Sequence, residues 1–156
     1  MNIFSAKLRL AAAIVPLAFV AACGFLGTDK IENAVINADL EKQKLNVTEG
    51  VSKTWDFSRD QGRCFQITDS KFAGDTAQLT LAVASFYESE AVAGSVFTVF
   101  GKVLMNYKRD GKTWTLEKAE SRELIQKILE QDEFTKFLDT SAPLCQSYRA
   151  PLSMRN

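Results

Sequence analysis

The chain has no histidine. That absence removes Ser-His and Cys-His nucleophile pairs and the common zinc sites, because no imidazole is present to act as base or ligand. The sequence also lacks a Ser-x-x-Lys motif, a Gly-x-x-x-x-Gly-Lys phosphate loop and a Gly-x-Gly-x-x-Gly turn. Asp56-Phe57-Ser58-Arg59-Asp60-Gln61-Gly62 begins like a calcium loop. Its glycine falls one position late, however, and Ile67 stands where a bidentate glutamate belongs, so a solvated turn is expected. Carboxylates such as Glu117 and Glu120 could do acid–base work, but nothing in their spacing buries them together. The expectation is a protein that is not an enzyme and uses no cofactor and no metal.

Charge of one sign and cysteine are also scarce. There are 19 basic and 19 acidic residues, which gives no global attraction to nucleic acid or anionic lipid. The three cysteines include no Cys-x-x-Cys pair. No internal repeat or low-complexity tract interrupts the chain.

Met1 to Leu10 form a short polar stretch that carries Lys7 and Arg9 without an acid, and Leu10 to Phe19 supply an apolar core with Pro16 inside it. A basic start, an apolar centre and a small-residue exit match a secretory signal peptide. A membrane span needs about 20 apolar residues, and a proline disfavours regular helix, so export is expected instead. The run closes on Val20-Ala21-Ala22-Cys23, which resembles the lipobox of bacterial lipoproteins. The resemblance implies diacylglycerol on the Cys23 sulfur, cleavage before Cys23 and acylation of the new amino terminus. Several acyl chains give a lasting anchor where one gives only marginal binding. Gly24 stands where aspartate marks inner-membrane retention in such proteins, so the resemblance implies the outer membrane facing the periplasm, with the cell surface as a second orientation.

On this reading residues 1–22 are removed, residues 23–28 are the lipidated anchor and a short spacer, and residues 29–156 form one domain. The 134-residue mature chain keeps 17 basic and 19 acidic side chains, a net charge of −2. That size suits one domain with a sizeable core. With Cys23 assigned to lipid, Cys64 and Cys145 remain as an even pair in an oxidising compartment, and a disulfide is the default reading. A loop of that length allows about 4–5 kcal/mol in the chain-entropy account.

Within the domain, Asp29 and Glu32 read as a capping box. Ile31, Ala34, Val35 and Ala38 then repeat at helical spacing. From Leu45 to Glu120 the period is two. Val51, Trp55 and Phe57 share one strand face; Phe65 and Ile67 share another, with Cys64 opposite. Phe72 to Asp75 reads as a turn, followed by Leu79, Leu81 and Val83 in alternation. Phe97, Val99, Val103, Met105 and Tyr107 line one side of a longer strand. Asp110-Gly111 is a two-residue hairpin signal, expected to set Tyr107 opposite Trp114 and Met105 opposite Leu116. Ser121 is expected to cap a helical region to about Leu138, broken near Gln131-Asp132 because a straight helix would be apolar all round.

The fold class expected is α+β: an N-terminal helix, an antiparallel meander of four or five strands, and a C-terminal kinked helix or helical hairpin. A helix followed by a curved antiparallel sheet with the hairpin Tyr107-Lys108-Arg109-Asp110-Gly111-Lys112-Thr113-Trp114-Thr115-Leu116 is similar to cystatin-like and NTF2-like small domains, over about that one hairpin.

Three functions are weighed. The first is a non-catalytic envelope lipoprotein that binds a protein partner in an assembly, accessory or inhibitory role. The second is a module binding a small apolar or lipid ligand on a concave aromatic sheet face of Phe97, Tyr107 and Trp114. A hydrolase is the third and would need convergent carboxylates. Lys108, Arg109 and Lys112 at the hairpin tip are candidate contacts for an anion; solubility of the tip is the alternative. Phe25 and Leu26 could enter the membrane interface beside the lipid.

Overall fold

A computed structural model describes residues 30–140, with side chains through Phe137. The signal segment, Cys23, the spacer and Cys145 lie outside the described residues. The domain is mixed α+β, with two helices, a two-stranded sheet and a four-stranded antiparallel sheet. In chain order the elements are α1 (Asn33–Glu41), β1 (Lys44–Asn46), β2 (Thr54–Asp56), a single 3-10 turn (Phe57–Arg59), β3 (Gly62–Ala73), β4 (Thr76–Glu88), β5 (Ser95–Asp110), β6 (Thr113–Glu130) and α2 (Gln131–Thr140). The large sheet is a meander, β3-β4-β5-β6, so each strand pairs with its sequence neighbour. Its strands run 12, 13, 16 and 18 residues, well beyond the usual length, and bulges interrupt the β3–β4 and β5–β6 ladders.

One face of the sheet carries the main core. Leu79, Leu81 and Val83 of β4 pack with Val99, Val103, Met105 and Tyr107 of β5 and Leu124 of β6, at two-residue spacing. Ile36 and Leu40 of α1, with Trp55 and Phe57, cover them. The helix begins later than the capping box implied. Glu32 is its N-cap and makes no side-chain cap bond, and Asp29 lies outside the described residues. The inward stripe is therefore Ile36 and Leu40, four residues apart, while Ala34, Val35 and Ala38 face outward. Ile31 is buried from the segment that leads into the helix. Trp55 and Phe57 are core as expected, but Val51 sits 72% exposed in the loop before β2.

The expected helix from Ser121 is instead the second half of β6. Leu124 faces the main core, whereas Ile125 and Leu129 face the opposite side and line the groove beside α2. A strand with apolar neighbours on both sides loses its alternation, and that pattern imitates a helical stripe. The break near Gln131 is real: it is where β6 gives way to α2, a single helix with neither kink nor hairpin among the described residues. The Glu133 carboxylate accepts the N–H of Glu130 at this start.

The β5–β6 hairpin forms with a shifted register. Asp110 pairs with Thr113, so the two-residue loop is Gly111-Lys112; Gly111 takes φ +60° and Lys112 is not at positive φ. That geometry is a turn with glycine at its first central position, and Gly74 (φ +63°) serves the β3–β4 turn in the same way. Tyr107 consequently opposes Leu116, Met105 opposes Ala119 and Arg109 opposes Trp114. Next to the turn the slip is two residues, which leaves Tyr107, Trp114 and Leu116 on their expected face; beyond the bulge between Asn106 and Tyr107 it is three.

Candidate functional site

The opposite face of the sheet is built in cross-strand rows. Cys64 pairs with Ala84, Ala84 with Phe100 and Phe100 with Ile125, so one row crosses all four strands. The next row runs Gln66, Ala82, Lys102, Glu123. α2 covers one end of this face. Phe134 meets Phe86 edge-on at 4.7 Å, and Phe137 lies 6.1 Å from the Phe100 ring and packs against Cys64 and Ala84.

Beside α2 the two rows leave a groove of about 670 Å³. Ala82, Ala84 and Gly101 give it a low floor, because none has a side chain larger than a methyl group. Phe100, Ile125, Leu129 and Phe137 form apolar walls, and Lys102, Glu123, Lys127, Glu133 and Lys136 stand around it. Lys127 also holds its ammonium 5.5 Å from the Phe100 ring centroid. Gly101 is required for more than the floor. It takes φ +147°, and a Cβ there would collide with the Glu123 carbonyl oxygen.

On the core side, one polar group of side chains is sealed in. Arg63 donates from Nε to Asp60 Oδ2 at 2.8 Å, from Nη2 to the Phe57 carbonyl and from Nη1 to Asn37 of α1. Trp55 Nε1 donates to Asp60 Oδ1 at 3.0 Å. Burial pushes the Asp60 carboxyl up to about 6, against the hydrogen bonds from Ser85, Arg63 and Trp55 that favour its charged form. This group ties α1, β2 and β3 together. Its signal is Asp60-x-x-Arg63, which begins inside the segment expected to be a solvated turn and ends one residue beyond it.

The aromatic face expected to hold a ligand is filled. Tyr107 is 1% exposed, and its hydroxyl donates to the Met105 sulfur at 3.9 Å. Burial and the nearby Asp39 carboxylate hold that hydroxyl above its ordinary range. Phe97 stacks on Tyr87 at 5.3 Å, whereas Trp114 pairs with Arg109, twelve positions along β5 from Phe97, and sits edge-on to Phe72. Phe97, Tyr107 and Trp114 therefore line no common cavity and belong to or flank the main core. The anion candidates do not converge either. Arg109 lays its guanidinium over Trp114 and donates to the Gly74 carbonyl, bracing two hairpin tips, whereas Lys108 precedes it on the opposite face and Lys112 lies in the turn.

Cys64 is disulfide-bonded. The pairing expected for it, with Cys145, falls on a residue outside the described ones, as does lipid on Cys23. Among the described residues no cluster of three metal-ligating side chains occurs, and no helix is long and apolar enough to cross a membrane. Compared with known proteins, the chain matches no family model, no curated protein and no solved structure. The class it defines is thus structural: an α+β domain with a long-stranded antiparallel meander between two helical covers.

Proposed function

We propose that this chain is a lipid-anchored protein of the bacterial outer membrane, facing the periplasm, whose domain binds a protein partner of the envelope without catalysing a reaction. The observation that carries this reading is how soon the fold begins after the anchor motif. Ile31, eight positions beyond Cys23, is already 3% exposed and packed in the main core. Eight residues reach about 28 Å at full extension, so the domain works against the membrane surface. The lipobox resemblance supports the anchor, and the Cys64 disulfide suits an oxidising compartment.

Crosslinking in whole envelopes, followed by purification of the lipidated chain, tests it. One envelope protein recovered repeatedly, and recovering this chain when itself purified, is the expected result; no specific protein would count against it. Incorporation of a labelled fatty acid lost in Cys23→Ser tests the anchor.

The groove favours a second reading, a small apolar or lipid ligand held beside α2. Its volume lies inside the about 300–1,000 Å³ span of small-molecule sites. Native mass spectrometry of the purified chain, read for a bound mass released on denaturation, tests that reading.

A further inference from the structure

We infer that the groove beside α2 takes a single-chain amphiphile with an anionic head, the head held at Lys127 and the chain lying across β5 toward β4. The inference rests on the second reading above, that this groove holds a small apolar or lipid ligand, and it adds the shape and charge of that ligand.

Phe100, Ile125, Leu129 and Phe137 are only half-buried, although they stand around a floor no taller than a methyl group. Apolar walls left this open mark a binding groove. Its two ends differ. Toward β3 it stops where Phe137 packs against Cys64 and Ala84. Toward β6 it opens beside Lys127, whose ammonium stands 5.5 Å from the Phe100 ring centroid, over the apolar wall. From β6 to β4 is two strand spacings, about 10 Å, so a slim chain entering over Ile125 reaches Ala84 before Phe137 blocks it.

Charge selects the head. Three lysines and two glutamates stand at the rim among the described residues, an excess of one positive charge. Both carboxylates are placed away from Lys127: Glu133 turns back to accept the N–H of Glu130, and Glu123 stands across the ladder from Lys102. Lys127 makes no ion pair among the described residues. An anionic head there accepts a charge-assisted hydrogen bond beside apolar atoms, where water screens it less. A cationic head would meet Lys127 as a like charge, and an uncharged one would gain far less from it.

The test uses the full mature chain, exported to the periplasm with Cys23→Ser so that no detergent is needed, after co-purified lipid is removed on a hydrophobic resin. Isothermal titration compares decanoate, a lysophosphatidylglycerol of the same chain, decanol and decyltrimethylammonium. One anionic chain is expected to bind per protein, with decanol and the ammonium at least tenfold weaker; whether the carboxylate or the phosphate binds better tells a free fatty acid from a lysophospholipid. Lys127→Gln should weaken the preferred anion at least fivefold and Lys127→Arg should not, while Lys112→Gln removes the same charge from the hairpin turn without effect. Ala82→Trp fills the floor and should abolish binding; binding that survives it lies elsewhere and overturns the inference. Decanol binding as well as decanoate, or Lys127→Gln binding like the parent, overturns the anionic head and leaves the groove a ligand site. If no chain binds at all, the inference and the reading beneath it fall together.

Discussion

Arg63 Nε lies 2.8 Å from Asp60 Oδ2, and the two side chains are only 7% and 3% exposed. A pair this deep stabilises little in itself, but removing one member leaves the other charged and unpaired. Asp60→Asn or Arg63→Met is therefore expected to cost about 3–5 kcal/mol each, and the double variant much less than the sum. Urea unfolding of all four chains checks this; additive losses would reject the coupling.

The same carboxyl sets a pH dependence. Burial holds Asp60 at about 6 in the fold, against about 3.9 in an unfolded chain. The native state thus binds the proton more tightly, and the contribution is fully present below about pH 4 and lost as pH rises through 6. About two units at 1.36 kcal/mol each make about 3 kcal/mol. The stability difference between the parent chain and Asp60→Asn should fall by up to that amount from pH 4 to 7. A difference constant over this range would show that Asp60 does not titrate there.

Gly101→Ala should destabilise by more than about 1 kcal/mol, since it combines a positive φ with a collision against the Glu123 carbonyl. Gly111→Ala is the comparison. Its φ is also positive, but nothing lies within 4 Å of the added carbon, so only the backbone cost of about 1 kcal/mol remains. Equal losses at the two sites would argue against the close approach of β5 and β6.

Phe134 is 1% exposed and joins α2 to Phe86 and Val96. Phe134→Ala is expected to cost about 3–5 kcal/mol and to speed amide exchange in α2 ahead of the sheet. A loss below about 1 kcal/mol would mean that α2 is not seated there.

Tyr107 should resist ionisation. Its buried hydroxyl, facing Asp39, is held above the ordinary tyrosine value of about 10. Alkaline titration followed by ultraviolet absorbance should show one of the three tyrosines ionising late, together with unfolding. Tyr107→Phe should remove that late step. A late step that persists in Tyr107→Phe belongs to another residue.

How far the sequence reveals this fold depends on the distance over which the relevant contacts act. The β4 and β5 alternation and the two glycine turns are local signals, and they placed the core face correctly. The register was misread because Asp110-Gly111 suggested glycine at the second turn position, whereas the chain uses Gly111-Lys112 and two further bulges. Leu124 to Leu129 misled because apolar side chains on both faces of a strand carry no period. The groove was not legible at all. Cys64, Ala84, Phe100 and Ile125 are separated by 16 to 25 positions, and only the pairing of four strands puts them side by side.

Glu49 bridges Ile125 in parallel, with Thr48 and Gln126 donating backbone hydrogen bonds across the same edge of β6, and Gln126 also receives the N–H of Ser52. These contacts join residues more than 70 positions apart, while the meander itself is made of neighbouring hairpins. A chain made from its amino terminus completes α1 long before β6 exists. Ile36 and Leu40 therefore wait uncovered until the sheet arrives, and the part of the domain that is synthesised first is among the last to close.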